Sequence, residues 1–295
     1  DAMESRGLGD VYKRQVFSHD YADGDTDASD VNGHGSNVTS IVGGNGSGYT
    51  GVAPGVDLIH LKVFTDAGAG NFGFVEDALQ WVVANAGTYN IVTVNMSLGD
   101  TLNHSSAQAL YGINDEIAAL ASAGITVVSS SGNDFFAYSS AQGVGYPSAD
   151  ANSLSIGATY DANFGGGFTY GSGAQSFSTD VDRIAPFSQR HSALLDIFAP
   201  GAAIDGAGPT GGTTTMHGTS QAAPHIAGIV ALMQDLANAH LGRSLTVTEV
   251  RDLLVDTAVT INDGDDEDDN VTNTGLNFPR VDVLAIGEAI WAMDV

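Results

Sequence analysis

Short apolar runs alternate along this chain with longer segments that are apolar on one side only. This alternation limits the fold more than any other feature. Residues 57–64 (DLIHLKVF) predict a strand. Asn71 can cap a following helix whose apolar face is Val75, Leu79, Val82, Val83 and Ala86, with Gly87 as its stop. Residues 91–98 (IVTVNMSL) are nearly continuously apolar, as a strand covered on both faces should be. A helix is expected over about 106–123, burying Ile113, Ile117 and Leu120 and stopping at Gly124. A buried strand at 125–128 then runs out into Ser129, Ser130, Ser131, Gly132 and Asn133. Short strands at 154–158 and 194–198 follow, then a helix after Thr219 carrying Ile226, Ile229, Val230 and Met233. Thr246 and Glu249 form a capping box for a helix through Val255, and a last helix covers about 281–292. Strand–helix alternation of this kind predicts an α/β fold built on a parallel sheet. Sites in such sheets lie beyond the carboxyl ends of the strands, which directs attention to 97–99 and 129–133.

Composition narrows the class. Of 295 residues 43% are apolar and 15% charged, enough for a sizeable core. The formal net charge of −26 argues against nucleic acid or an anionic membrane surface as partner, since both need basic patches. The absence of cysteine excludes disulfides, thiolate chemistry and Cys-zinc sites. No apolar run approaches the roughly 18 residues of a membrane-spanning helix. The acids are mostly Asp and gather in two clusters, one from Asp20 to Asp30 and one at 263–269 (DGDDEDD). Such clusters offer oxygen ligands for Ca²⁺, and Asp23, Asp25 and Asp27 are the candidate set; a solvated acidic loop is the alternative. No catalytic metal is expected. Trp81 and Trp291 fall on apolar helical faces and read as core.

Residues 1–15 (DAMESRGLGDVYKRQ) stand apart. They have no helical or strand periodicity and hold three of the nine basic residues. The segment resembles a translated sequencing-adapter artefact, so it is set aside as non-native and residues 16–295 are read as one domain. A chain beginning at Asp1 rather than Met is expected to start inside something longer.

Three glycine-flanked segments carry reactive groups: Asn32-Gly33-His34-Gly35-Ser36, then Ser130-Ser131-Gly132-Asn133, then 218–224 (GTSQAAP). Only His34, of the eight histidines, sits between two glycines, which lets backbone or substrate come close. Ser220 opens a helix, near the positive end of the helix dipole, where an intermediate bearing an oxyanion is favoured.

Taken in this order, the segments resemble the blocks of the subtilisin-like serine proteases, the subtilases. Residues 32–41 (NGHGSNVTSI) are similar to the family's histidine block, and 218–224 followed by His225 to its serine block. Further segments between them (51–64, 95–99, 146–148, 187–201) and RVDV at 280–283 keep family order, so the resemblance runs from about 16 to 293. It implies a subtilisin-like three-layer fold and a secreted, extracellular, monomeric endopeptidase acting on polypeptides. Ser220 would be the nucleophile, His34 the general base, and Asn133 the oxyanion donor with the Ser220 N–H. Ser97, Leu98 and Gly99, with Ser130, Ser131 and Gly132, would present backbone edges to an extended peptide and wall its pocket. One block is lacking. The family carries Asp-Ser/Thr-Gly on a strand some thirty residues before the histidine, and neither tripeptide occurs here. The expectation is therefore a domain without its first strand and catalytic Asp, inactive as it stands, or else a catalytically degenerate binding module. An α/β-hydrolase is disfavoured, because no Gly-x-Ser-x-Gly elbow exists and His precedes Ser. Three variants stand inside the matching blocks: Ser36 and Asn37, where the family more often has Thr and His, and Gln221, where it often has Met.

Overall fold

The computed structural model describes residues 14–46 and 48–293. The segment 1–13, most of the stretch set aside above, lies outside them. Eight strands and six helices make the frame. In chain order they are β1 (Gln15–Asp20), α1 (His34–Gly43), β2 (Leu58–Lys62), α2 (Phe72–Tyr89), β3 (Thr93–Met96), α3 (Asn114–Ser122) and β4 (Thr126–Ser130). There follow β5 (Ser153–Thr159), β6 (Ile197–Pro200), α4 (Thr219–Leu241), α5 (Val247–Asp256), β7 (Val259–Asn262), β8 (Asn277–Arg280) and α6 (Val283–Ala292). Short hairpins such as Ile204–Ala207 with Thr213–Met216 decorate the frame.

The main sheet has six strands in the order β7-β8-β6-β5-β4-β3. Neighbours from β8 to β3 run parallel, and only β7 is antiparallel. The period of two along each strand sorts its residues between two cores. Val128, Ile156 and Ala199 face α4 with its Ile226, Ile229, Val230 and Met233. Val127 and Phe198 face the other way, onto Val75, Leu79 and Val82 of α2 and Ile117 and Leu120 of α3. Both faces are thus covered, so β4 and β5 are buried along their whole length.

A second, two-stranded sheet pairs β1 with β2 in parallel, with Phe17 beside Ile59 and Asp20 beside Lys62. Arg14 supplies a carbonyl to Leu58 and Gln15 pairs with Leu58, so ordered sheet begins at the edge of the segment read as foreign. Residues 15–20 carry no strand signal of their own, and their strand depends on pairing with residues 58–62.

Local signals set the helix ends. Asn71 accepts a hydrogen bond from the Gly73 N–H, as expected of a cap. The capping box of α5 is present in both directions. Three expectations are corrected. Helix α2 passes Gly87 and stops at Asn90, which adopts a left-handed conformation (φ 51°). The helix expected from 106 starts only at Asn114, since Tyr111 and Gly112 both have positive φ, which a helix excludes. Trp291 is 65% exposed and stacks on His240 at 4.4 Å between centroids, on the outer face of α6. Trp81 does pack inward, stacked on Phe17 at 4.2 Å.

Candidate active site

Ser220 is the second residue of α4, whose N-terminal boundary is Gly218. Pro224 lies inside the first turns of this helix. Proline has no N–H, so the carbonyl four residues earlier, that of Ser220, is released from the helical ladder. That carbonyl accepts a 2.7 Å hydrogen bond from the Ser97 hydroxyl, and the Ser220 hydroxyl donates back to the Ser97 carbonyl at 3.4 Å. Asn95 donates its side-chain amide to the Ser97 oxygen at 3.0 Å. The end of β3 is thereby tied to the start of α4, with Ser220 at the tie. Ser97 entered from sequence as a substrate-binding residue; its side chain anchors the serine helix.

Asn133 lies beside the same helix end. Its Oδ1 accepts from the Thr219 N–H at 2.9 Å and from the Thr219 hydroxyl at 3.0 Å. An acceptor so engaged fixes the amide orientation and commits Nδ2 to the opposite side. The space there is kept by Gly218, where an added Cβ would stand 3.3 Å from Asn133 Nδ2. Gly132 has φ 110°, and a Cβ on it would meet Gln189 Oε1 at 2.0 Å, so only glycine fits.

His34 is the first residue of α1, preceded by Gly33 in a left-handed conformation (φ 94°). The turn before it is held by Asp30, whose carboxylate accepts from the N–H groups of Asn32 (3.0 Å), Gly33 (2.8 Å) and Ser36 (2.6 Å). Burial pushes the Asp30 carboxyl up, but these backbone donors outweigh it and hold it below the usual range. Burial lowers the His34 pKa, opposed only by the Asp30 charge, so the imidazole is neutral at pH 7 and able to accept a proton. Among the described residues no hydrogen bond joins the His34 ring to a carboxylate or to Ser220.

Helices α1 and α4 are locked one turn further in. Gln221 donates its Nε2 to Asn37 Oδ1 at 3.2 Å, and both residues are almost fully buried. Two of the positions that depart from the common family residues are therefore partners, and they set the helix bearing His34 against the helix bearing Ser220. Sequence reading noted each singly and had no signal for the pair. The other nearby histidines are spent elsewhere. The His217 Nδ1 accepts from the Ala203 N–H, and the His225 ring bonds the Gln221 carbonyl.

The proposed peptide-binding segments meet through Ser130, whose hydroxyl donates to the Leu98 carbonyl at 3.3 Å. Ser131 and Gly132 have their N–H groups taken by Ile156 and Thr219. They can wall a pocket but cannot offer those donors to a peptide. Gly99, two residues from the Ser97 tie, sits next to Asp100, whose N–H is bound by Tyr146.

The calcium candidates do not share a ligand position. Asp23 binds Lys62 at 2.8 Å, alongside Asp20 (2.6 Å) and Asp66 (2.7 Å), so a lysine ammonium already fills that acidic nest. Asp25 and Asp27 instead accept backbone N–H groups of Asp27 and Ser29. The loop is a chain of Asx turns, and these residues do not fit a Ca²⁺ site. In the second cluster Asp263 is fully buried against Arg190, so it is not part of a solvated run.

The subtilase family profile matches residues 5–279. Alkaline elastase YaB from Bacillus sp. (strain YaB) is 35% identical over 72% of this chain and 48% of its own length. Alkaline serine exoprotease A from Vibrio alginolyticus is 32% identical over 74% of the chain and 34% of its own. Subtilisin Savinase from Lederbergia lenta is 30% identical over 72% and 67%. The chain thus spans about half of the first of these relatives and a third of the second. Among solved structures, a cold adapted subtilisin-like serine proteinase superposes with a TM-score of 0.64 at 27% identity, covering 84% of this chain and 76% of that one.

Proposed function

The chain belongs to the subtilase family, and from that premise we propose that its site is built for serine endopeptidase chemistry, cleaving peptide bonds in polypeptides through an acyl-enzyme on Ser220. In this reading His34 takes the hydroxyl proton as the Oγ–carbonyl bond forms, then returns it to the departing amine. Asn133 Nδ2 and the Ser220 N–H receive the negative charge that develops on the carbonyl oxygen. The observation that supports it best is the start of α4. The Ser220 hydroxyl, its own N–H and an amide oriented by Thr219 meet there at the start of the helix. Membership of the subtilase family supports polypeptide substrates and the expected secreted, extracellular setting.

The lone imidazole favours low turnover. A carboxylate bonded to the base holds its tautomer, and in subtilisin itself removing that carboxylate costs about 3 × 10⁴ in kcat. Asp20 cannot serve, since it is bound to Lys62 and to the N–H groups of its own turn. The same observation supports the second reading, a subtilase scaffold that binds peptides without cleaving them. A fluorophosphonate probe separates the two. Slow covalent labelling that Ser220→Ala abolishes is expected. A folded protein that stays unlabelled at millimolar probe overturns the protease reading.

A further inference from the structure

The turn that leads into α1 contains the dipeptide Asn32-Gly33, one of two Asn-Gly pairs in the sequence; the other is Asn45-Gly46. Asparagine is a thermolabile residue. Before glycine its side-chain amide can close a five-membered imide ring, because the next residue has no Cβ to block its backbone nitrogen. The surroundings of the reacting atoms decide whether the ring forms, and the two pairs are held in opposite ways.

At Asn32-Gly33 the neighbouring groups assist. The Gly33 N–H, whose nitrogen is the nucleophile, donates to Asp30 Oδ1 at 2.8 Å. Burial pushes this carboxyl up, but its backbone donors hold it below the usual range, so it is ionised at neutral pH and placed to take the proton. Asn32 Oδ1, where negative charge develops, accepts from the His34 N–H at 3.3 Å. His34 is the first residue of α1, so that donor belongs to the positive end of a helix of ten residues. The resulting Asx turn bends the side-chain amide towards the chain that follows it. Asn32 is exposed, so ammonia can leave and water can reach the ring.

Asn45-Gly46 is held against reaction. It lies in an antiparallel pair, with Asn45 opposite Thr50 and Gly46 opposite Tyr49. A Cβ on Gly46 would meet the Tyr49 ring at 2.5 Å, so that ring lies directly against the glycine. This pairing has to open before the amide and the nitrogen can meet.

We propose that Asn32 is a self-modifying site, at which Asp30 and the His34 N–H promote loss of ammonia and leave an aspartyl or isoaspartyl residue in the histidine turn. The Gly33 nitrogen bonds to Asn32 Cγ while its proton passes to Asp30. The Cγ–Nδ2 bond then breaks, and ammonia departs with that proton, leaving a cyclic imide. Water adds to one of the two imide carbonyls and its bond to the Gly33 nitrogen breaks. Opening at the main-chain carbonyl routes the backbone through the former side chain and lengthens it by one methylene. Asp30 holds the N–H groups of Asn32, Gly33 and Ser36 together, and a lengthened chain cannot keep all three in place. His34 then loses its seat, and a new negative charge stands two residues from it. The inference does not depend on Ser220 being reactive.

The test is peptide mapping of the full chain after incubation in mildly alkaline buffer made with heavy-oxygen water, with isoaspartate confirmed by an isoaspartyl methyltransferase. In the folded chain, residue 32 should take up heavy oxygen about tenfold faster than residue 45, or more. In urea the two rates should agree. Asp30→Asn should slow uptake at residue 32 and leave residue 45 unchanged, and Asn32→Gln should abolish it at residue 32. Equal rates in the folded chain overturn the proposal, as does slower uptake at residue 32. Uptake at residue 32 that a folded Asp30→Asn chain leaves unchanged or quickens also overturns it, because the carboxylate would then shield the amide rather than take its proton. Should that variant unfold, which residue 45 reports by converting at its urea rate, the comparison within the unsubstituted chain decides alone.

Discussion

At the scale of single residues, the decisive feature is how few side chains near the serine are free. Ser97, Thr219 and Asn37 each spend a polar group on holding α4 in place, and Pro224 makes this possible by vacating the Ser220 carbonyl. Asn133 accepts from Thr219, and in the proposed mechanism its Nδ2 would donate to the oxyanion. Asn133→Ala should therefore slow covalent labelling of Ser220 by about 10²–10³, the range measured for the equivalent donor of subtilisin itself. Equal labelling rates in stopped assays of the two proteins would remove Asn133 from the site. Burial pushes the His60 imidazole down to about 4. Above about pH 6.5 it is neutral in both folded and unfolded chains and contributes nothing to the pH dependence. Below that, the unfolded chain binds a proton that the folded one refuses, so stability falls as pH drops from about 6.5 towards 4. The urea midpoint of His60→Leu should fall less steeply across that window than that of the unsubstituted chain.

At the scale of elements, the loops owe their positions to buried polar ties rather than to their own propensities. Arg190 is fully buried, stacked 3.7 Å over the Phe135 ring and bonded at 2.8 Å to Asp263, which also accepts from the Thr274 N–H and hydroxyl. This tie binds the loop after β7 to the segment beside Gln189, which in turn contacts Gly132. Asp263→Ala leaves the Arg190 charge without its partner and should cost about 3–5 kcal/mol, read from urea unfolding. A cost below about 1 kcal/mol would show that the loop holds itself. Much of the element pattern was readable beforehand. The Asn71 cap, the capping box at Thr246 and the buried strands around 127 and 156 carry their own local signals. The helix start at Asn114 and the strand at 15–20 do not. The first depends on backbone conformations at Tyr111 and Gly112, and the second on pairing with a strand forty residues away.

For the whole molecule, the acid excess sets solution behaviour. Only nine basic residues face thirty-five acidic ones, and the lysine within the described residues is already shared by three aspartates. Self-repulsion of this size is screened by salt, whose screening length falls from about 30 Å at 0.01 M to 3 Å at 1 M. The melting temperature should rise by several degrees between those concentrations of NaCl; a flat or falling curve would show that local ion pairs outweigh the net field. The amino-acid order alone determined the α/β class, the three reactive segments and their family, because periodicity and short glycine-flanked motifs are local properties of a chain. Tertiary structure alone decided two further things: that Asn37 and Gln221 are partners, and that Asp23 pairs with Lys62. Each of these joins groups far apart in sequence, and only the packing of helices on the sheet determines what such groups meet.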